Sequence, residues 1–201
     1  MNIVLTGMMG TGKTVVGKKL AQKLNMKYIS TDEMIKKDVG MSIPKIFEKK
    51  GEPYFRDVES KAIRCVAMLD NFVIDTGGGV VQRSENMEEL EKNGVIICLT
   101  ASPEVILKHT SKTDYRPLLN VENPKGEIKK LFKKREKFYK RCDRMIDTSN
   151  KGIEEVVDEI IKFLSEISEK VPRSVFARSK ATKQSRCYRR RIRLPRPSGS
   201  Q

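Results

Sequence analysis

The chain has 201 residues and a formal net charge of +15, a length that suits one domain with a core and is too short for two. Hydrophobic residues make up 38% and charged residues 33%, which excludes a chain disordered throughout, and no apolar run approaches the ~20 residues of a membrane-spanning helix. One histidine and four widely spaced cysteines exclude a histidine-rich metal site and a zinc ribbon, and they argue against a disulfide framework or a Ser-His-Asp triad.

Short apolar runs alternate with segments of helical periodicity along most of the chain. The predicted strands are Asn2–Thr6, Lys27–Ile29, Phe72–Ile74, Val95–Leu99 and Met145–Ile146. Four predicted helices have both bounds, and they are Lys13–Leu24, Glu52–Leu69, Pro124–Cys142 and Ile153–Ile167. Three more helical segments are predicted to begin at Thr31, at Ser42 and after the capping residue Ser102. Gly40 separates the first two of these segments, and Gly51 separates the second from Glu52–Leu69. This alternation predicts an α/β fold with a parallel sheet covered by helices on both faces.

The first predicted strand leads into Gly7-Met8-Met9-Gly10-Thr11-Gly12-Lys13-Thr14, which matches the phosphate-binding pattern G-x-x-x-x-G-K-[ST]. In such a loop the backbone N–H groups surround phosphate oxygens, and the following helix directs the positive end of its dipole at them. By position, Lys13 reaches the β- and γ-phosphates and Thr14 ligates Mg²⁺. The pattern predicts a nucleoside-triphosphate site that includes Gly7, Met9, Gly10, Thr11, Gly12, Lys13, Thr14 and Val15.

The rest of the chain favours a small-molecule kinase among the P-loop proteins. It has no N-K-x-D guanine signature and no long insertion, and its length leaves room for one domain only. Residues 110–123 are polar and aperiodic, which predicts a mobile, lid-like loop. These features argue against a motor, a transporter ATPase or a GTPase.

Several residues that suit an acceptor site follow the predicted strands, at the sheet edge where α/β proteins bind ligands. Asp32 follows the second strand, Gly77–Gly79 end the third, and Arg56 and Arg116 lie in loop or helix-start segments. Arg135 shares a helical face with apolar residues, where an unpaired charge is costly. For each of these charges a salt bridge or a surface position is one interpretation, and an anionic ligand is the other.

Taken in order, these motifs resemble those of the shikimate kinases. They are Gly7–Thr14, Thr31-Asp32, Gly51–Arg56, Thr76–Gly79, Arg116–Leu119 and Arg135–Tyr139. The likeness covers residues 1–165 roughly, in the family's order and spacing. It implies a P-loop kinase domain over residues 1–170 with a lid at about 110–123, and the strand order of the five-stranded parallel sheet is taken from the family.

The resemblance also implies a reaction, in which the γ-phosphate of ATP passes to the 3-hydroxyl of shikimate with Mg²⁺, on the pathway to chorismate and the aromatic amino acids. It implies that Lys13, Asp32 and Arg116 are catalytic, with Asp32 taking the proton of the acceptor hydroxyl and Arg116 neutralising the transferring charge. Thr14 would hold the metal, and Arg116 and His109 would join the nucleotide site. The substrate-binding residues that it implies are Asp32, Arg56, Gly77, Gly78, Gly79 and Arg135.

Two positions depart from the family pattern. The family usually has D-x-D after the second strand, and its first aspartate supports Mg²⁺, whereas this chain has Ser30-Thr31-Asp32. Asp75 either compensates for the missing carboxylate or has a surface or loop-capping role, and we expect functional but weaker Mg²⁺ binding. His109 stands where the family commonly has an arginine near the adenine, and it either stacks on the base or is an exposed residue at a helix end.

Alternative functions remain open from the sequence. One is a related P-loop kinase for another small hydroxylated acceptor such as gluconate, and a second is a nucleotide-binding protein without transfer activity. Arg56, Arg135 and the triple glycine favour shikimate over a neutral acceptor. The presence of Lys13, Asp32 and Arg116 argues against the second alternative.

The two ends of the chain give further expectations. Residues 172–201 contain 10 of the 41 basic residues and no acidic residue, which leaves 31 basic and 26 acidic residues before them. Residues 171–201 are therefore predicted to be a disordered basic tail, either an arm for nucleic acid or an acidic membrane, or a solvated extension. The first apolar run is too short for a signal peptide, and no surface pattern indicates a dimer, so we expect a cytoplasmic monomer.

Overall fold

Five short segments form one parallel β-sheet in the computed structural model of the chain, which describes residues 1–110 and 123–170. The strands are β1 (Asn2–Gly7), β2 (Lys27–Ser30), β3 (Phe72–Asp75), β4 (Gly94–Thr100) and β5 (Arg144–Asp147). Their order is β2-β3-β1-β4-β5, and each neighbouring pair is parallel. The predicted α/β class and five-stranded parallel sheet are confirmed.

Helices connect the strands and cover both faces of the sheet. Within the described residues they are α1 (Lys13–Lys23), α2 (Thr31–Val39), α3 (Ile43–Ala67), α4 (Ser84–Glu91), α5 (Pro103–Thr110), α6 (Pro124–Tyr139) and α7 (Ile153–Lys170). Helix α3 is kinked at Gly51, whose φ of 79° and ψ of 166° are not helical, and Pro53 follows two residues later. The predicted break at Gly51 therefore occurs as a kink inside one helical element.

Sequence and structure differ at α4 and at the ends of α6 and α7, and α7 ends at Lys170, three residues after its predicted end. Helix α4 and the preceding 3₁₀ turn Val80–Gln82 are absent from the predicted elements, because α4 has eight residues and buries only Asn86, Met87 and Leu90. Helix α6 ends at Tyr139, three residues before its predicted end. At α5 the predicted cap is confirmed, since the backbone N–H of Val105 donates to Ser102 Oγ at 3.3 Å.

The core lies on both faces of the sheet, because alternate residues of each buried strand point to opposite sides. On β1, Ile3 and Leu5 pack with residues of α1 and α7, whereas Val4 packs on the other face with residues of α3 and α6. A third cluster joins α2 to α3 through Ile35, Ile46, Phe55 and Ala62. This cluster fixes the two helices that carry Asp32 and Arg56.

Some predictions fall outside the described residues. The predicted loop at 110–123 lies outside except for its ends, since Thr110 closes α5 and Asn123 caps α6. Arg116 and the predicted tail of residues 171–201 also lie outside, and the division into a domain and a tail stays a prediction. Among the described helices, none has the length and apolar character to cross a membrane. No disulfide bond links Cys65, Cys98 or Cys142 to another described residue.

Candidate active site

The phosphate loop between β1 and α1 has the geometry that its glycines predict. Gly7, Gly10 and Gly12 have positive φ angles of 127°, 79° and 88°. At Gly7 a Cβ atom would lie 2.1 Å from the carbonyl oxygen of Leu99, so only glycine fits against β4. The loop therefore needs both the backbone freedom and the small size of glycine.

Side chains from the loop brace it from within. Lys13 is buried, and its Nζ donates to the carbonyl oxygens of Gly7 and Met8, both at 2.9 Å. Thr11 Oγ1 donates to the Met8 carbonyl at 2.8 Å. Helix α1 begins at Lys13, which places a cation and the positive end of a helix at the same point. This arrangement suits a bound phosphate group.

Two further residues of the predicted nucleotide site lie at its rim. Val15 is 53% exposed on α1, and His109 is exposed at the end of α5. His109 Nδ1 lies 2.8 Å from the carbonyl oxygen of Gly10, so Nδ1 carries a proton and donates it. The histidine is thus at a helix end, as one interpretation expects, and it also contacts the phosphate loop.

Thr14, on the first turn of α1, is hydrogen-bonded to the end of β3. Its Oγ1 donates to Asp75 Oδ2 at 2.7 Å, and Tyr28 Oη donates to the same oxygen at 2.9 Å. Asp75 is 5% exposed, which excludes the surface role considered for it. Burial and the charge of Asp75 raise the pKa of the Tyr28 hydroxyl well above its usual range, so it stays protonated as a donor.

On the acceptor side, Arg56 lies in α3 just after the kink. Its Nη1 donates to Glu59 Oε2 at 2.7 Å, and its Nε and Nη2 donate to Glu52 Oε1 at 3.1 and 2.9 Å. Burial raises the pKa of Glu59, and the charge of Arg56 opposes that rise. The guanidinium is therefore held in place by one buried and one half-exposed carboxylate.

Glu59 is a buried neighbour of Arg56 that lies outside the sequence motifs. It is 1% exposed, and among the described residues its Oε1 has no hydrogen-bond partner. The sequence spacing does indicate that Glu59 points inward, because it lies four residues after Phe55 and three before Ala62 on the buried face of α3. The same reasoning that singles out Arg135 applies to Glu59.

The three glycines after β3 allow these side chains to meet. A Cβ atom on Gly77 would lie 2.8 Å from Glu59 Oε1 and 2.9 Å from Asp32 Oδ1. A Cβ on Gly79 would lie 2.3 Å from Arg56 Nη1. Asp32, Arg56 and Glu59 therefore pack around a loop that has no room for side chains of its own.

Helix α6 supplies the second arginine, and its predicted inward position is confirmed. Arg135 is 4% exposed, and its Nη1 donates to the carbonyl oxygen of Gly78 at 3.3 Å. Tyr139 Oη donates to the same carbonyl at 2.7 Å. Arg135 Nε is buried and has no hydrogen-bond partner among the described residues. A buried guanidinium with an unused N–H group suits an anionic ligand.

Gly78 joins the two halves of the site. A Cβ atom there would lie 3.2 Å from the Met9 backbone nitrogen and 3.3 Å from the Gly7 carbonyl oxygen, so this glycine lies directly against the phosphate loop. Its carbonyl faces Arg135 on the other side. The structure therefore brings the phosphate loop to one side of Gly78 and the buried Arg135 to the other, whereas Arg116 lies outside the described residues.

A family sequence model and relatives of more than 30% identity indicate one family. The sequence model of the shikimate kinase family matches residues 9–165. A shikimate kinase from Caldanaerobacter subterraneus subsp. tengcongensis is 55% identical over 161 residues, which are 80% of this chain and 94% of that protein. The solved shikimate kinase of Acinetobacter baumannii in complex with shikimate is 33% identical, with a TM-score of 0.80, and covers 83% of this chain and 94% of its own. The solved shikimate kinase of Aquifex aeolicus is 37% identical, with a TM-score of 0.70, and the match covers 84% of this chain and 98% of that one.

Proposed function

The chain belongs to the shikimate kinase family, and on this premise we propose how its own residues carry out the reaction. It is a shikimate kinase, which phosphorylates shikimate with ATP in aromatic amino-acid biosynthesis. One observation carries the assignment of residues. The Gly77–Gly79 loop lies against the phosphate loop on one side and against the buried guanidiniums of Arg56 and Arg135 on the other.

The two arginines hold the carboxylate of shikimate in this proposal. A guanidinium forms paired, planar hydrogen bonds with a carboxylate, and it remains charged when buried. Arg135 offers its unused Nε–H, and Arg56 is kept in position by Glu59. The backbone of Gly77, Gly78 and Gly79 borders the ring, because glycines leave room for it beside Asp32.

Asp32 accepts the proton from the 3-hydroxyl of shikimate. As that proton leaves, the hydroxyl oxygen forms a bond to the γ-phosphorus, the bond from the γ-phosphorus to its bridging oxygen breaks, and ADP departs with the electron pair. Lys13 binds the phosphate oxygens from the start of α1. Arg116 completes the charge neutralisation in this proposal; its assignment rests on the Arg116–Leu119 motif of the sequence.

Mg²⁺ accompanies ATP at Thr14 in this proposal. The Thr14 hydroxyl and the Asp75 carboxylate are hard oxygen groups, the kind that Mg²⁺ prefers. The cation supplies positive charge against the phosphate oxygens when it is bound. The monomeric state, the cytoplasmic location and the role of the basic tail stay predictions from the sequence.

An assay of ADP release tests the function with the full chain. With ATP and Mg²⁺ we expect shikimate to stimulate release strongly, and gluconate to leave it at the level without acceptor. The product should be a phosphate ester at the 3-hydroxyl, identified by NMR. Equal stimulation by gluconate would mean a different acceptor class, and ATP binding without stimulation by shikimate would mean a protein that does not transfer phosphate.

The substitution Gly79→Ala tests the position of Arg56. Gly79 has a φ of −103°, which alanine adopts without strain, but the new Cβ would lie 2.3 Å from Arg56 Nη1 and displace the guanidinium. We expect the KM for shikimate to rise by about 10- to 100-fold, because a pair of hydrogen bonds to a charged group is lost. The KM for ATP should be unchanged. Gly152→Ala is the matched control, because its Cβ finds no atom closer than 3.4 Å. An unchanged KM for shikimate would contradict the role of Arg56.

A further inference from the structure

The end of β3 carries a carboxylate that contacts the residue expected to hold the metal. We propose that Asp75 supports the divalent cation that accompanies ATP, in place of the carboxylate that the family usually carries at position 30. This inference rests on the proposed function for the identity of the nucleotide site. Its observations are independent of the acceptor side, because they concern Thr14, Tyr28, Ser30 and Asp75 only.

The hydrogen bond from Thr14 orients a metal ligand. Thr14 Oγ1 donates its single proton to Asp75 Oδ2 at 2.7 Å. A hydroxyl whose proton is directed to a carboxylate keeps its oxygen lone pairs for a cation, and the nearby negative charge makes that oxygen a better ligand. Asp75 therefore acts on the cation through Thr14 and by its own charge.

A second hydroxyl group also holds Asp75 in position. Tyr28 Oη donates to the same carboxylate oxygen at 2.9 Å, from the neighbouring strand β2. Asp75 is 5% exposed, and a buried carboxylate is costly unless donors or a cation compensate its charge. Two hydroxyl donors compensate part of that charge, and a divalent cation at Thr14 would compensate more of it.

Position 30 has a different role in this chain. Ser30 is the N-cap of α2, and its Oγ accepts from the backbone N–H of Glu33 at 3.4 Å. Ser30 and Asp75 are register partners across the parallel pair β2 and β3. Neighbouring strands lie about 4.8 Å apart, so a carboxylate at position 75 is displaced by one strand from a carboxylate at position 30. Both positions are close enough to serve the same cation.

The residues present fit a cation held mainly by nonprotein ligands. Among residues 1–110 and 123–170, no group of three or more His, Cys, Asp or Glu side chains forms a metal cage. Mg²⁺ typically takes one or two protein oxygens and completes its shell with phosphate oxygens and water. Thr14 supplies one such oxygen, and Asp75 supports it from behind through their hydrogen bond.

Asp75→Asn in the full chain tests the proposal, because asparagine keeps the size of the side chain and one acceptor oxygen but removes the charge. Mn²⁺ serves as the probe, and its free concentration is followed by EPR while protein saturated with ADP is added. We expect Mn²⁺ affinity to fall by about 10- to 100-fold. The affinity for ADP without metal, measured by calorimetry in EDTA, should be unchanged or higher, because a negative charge near the phosphates has been removed.

Two further variants separate metal support from a structural role. In Ser30→Asp/Asp75→Asn the carboxylate is moved to the neighbouring strand. We expect the Mn²⁺ affinity of this double variant to be at least tenfold higher than that of Asp75→Asn. Tyr28→Phe removes one hydrogen-bond donor to Asp75 but keeps the charge of Asp75 and the hydroxyl of Thr14. Its Mn²⁺ affinity should therefore fall by less than threefold. If Asp75→Asn does not fold, as judged by its thermal unfolding, Asp75→Ser with and without Ser30→Asp replaces it.

The outcomes are distinct from those of the shikimate assay. Mn²⁺ affinity that is unchanged in Asp75→Asn overturns the proposal, and so does an unaltered chain that binds no Mn²⁺ with ADP. A parallel loss of metal-free ADP affinity and of thermal stability, with no return of Mn²⁺ affinity in the double variant, also overturns it, since these changes mark a structural role. If Asp75→Asn lowers Mn²⁺ affinity as expected but the unaltered chain does not phosphorylate shikimate, the metal assignment stands and the acceptor assignment is wrong.

Discussion

Asp32→Asn is expected to lower the kcat of shikimate phosphorylation by about 10²- to 10⁴-fold, the range that a positioned general base contributes. Asparagine has nearly the same shape and can still accept a hydrogen bond from the acceptor hydroxyl. It cannot take the proton, because its amide is not basic. We therefore expect the KM for shikimate to change much less than kcat.

The surroundings of Asp32 explain why the loss should appear in catalysis rather than in folding. Asp32 lies in the first turn of α2, and its Oδ1 borders the space beside Gly77. Helix α2 is anchored elsewhere, through Ile35 in the cluster that it shares with α3. The substitution removes one charge at the helix start, and the packing of the helix is untouched.

Initial rates at saturating ATP, with shikimate varied, measure this effect. Asp38→Asn is the matched control, because Asp38 is exposed on the same helix and should keep the unaltered kcat. Thermal unfolding of both variants checks that α2 remains folded. A kcat in Asp32→Asn above one tenth of the unaltered value would contradict the role of general base.

Short sequence patterns predict much of this fold because backbone conformation and burial restrict which residues can occupy a position. The phosphate loop is recognisable since its glycines adopt positive φ angles, and a Cβ atom on Gly7 would lie only 2.1 Å from the Leu99 carbonyl oxygen. The buried strands are recognisable since β1 and β4 are covered on both faces. Arg135 is recognisable since it interrupts an apolar helical face.

The contacts that define the site depend on strand order, which periodicity does not contain. Thr14 is 61 residues and Tyr28 is 47 residues from Asp75 in the sequence. They meet because β3, which ends at Asp75, lies between β2 and β1 in the sheet. The sequence allows a metal role, a surface role and a loop-capping role for Asp75. Its burial and its two hydroxyl donors appear only when the strands are placed side by side.

Arg135→Met is expected to raise the KM for shikimate by about 10²- to 10³-fold, because removal of one partner from a buried, hydrogen-bonded charge pair costs on the order of 2–5 kcal/mol. Methionine fills most of the space of the arginine stem. The Gly78 carbonyl keeps a donor in the variant, since Tyr139 Oη lies 2.7 Å from it. The glycine loop should therefore stay in position while the carboxylate of shikimate loses its second guanidinium.

The stability of the same variant distinguishes a binding role from a structural one. Without substrate, Arg135 is 4% exposed and its Nε has no hydrogen-bond partner among the described residues, so the folded protein bears the cost of an incompletely paired buried charge. Arg135→Met should therefore unfold at the same temperature as the unaltered chain or a higher one, and shikimate should no longer raise that temperature. Lys134→Met, at an exposed neighbouring position of α6, is the control for loss of positive charge. A lower unfolding temperature with an unchanged KM for shikimate would make Arg135 a structural residue, and the acid-binding half of the site would need a different cation.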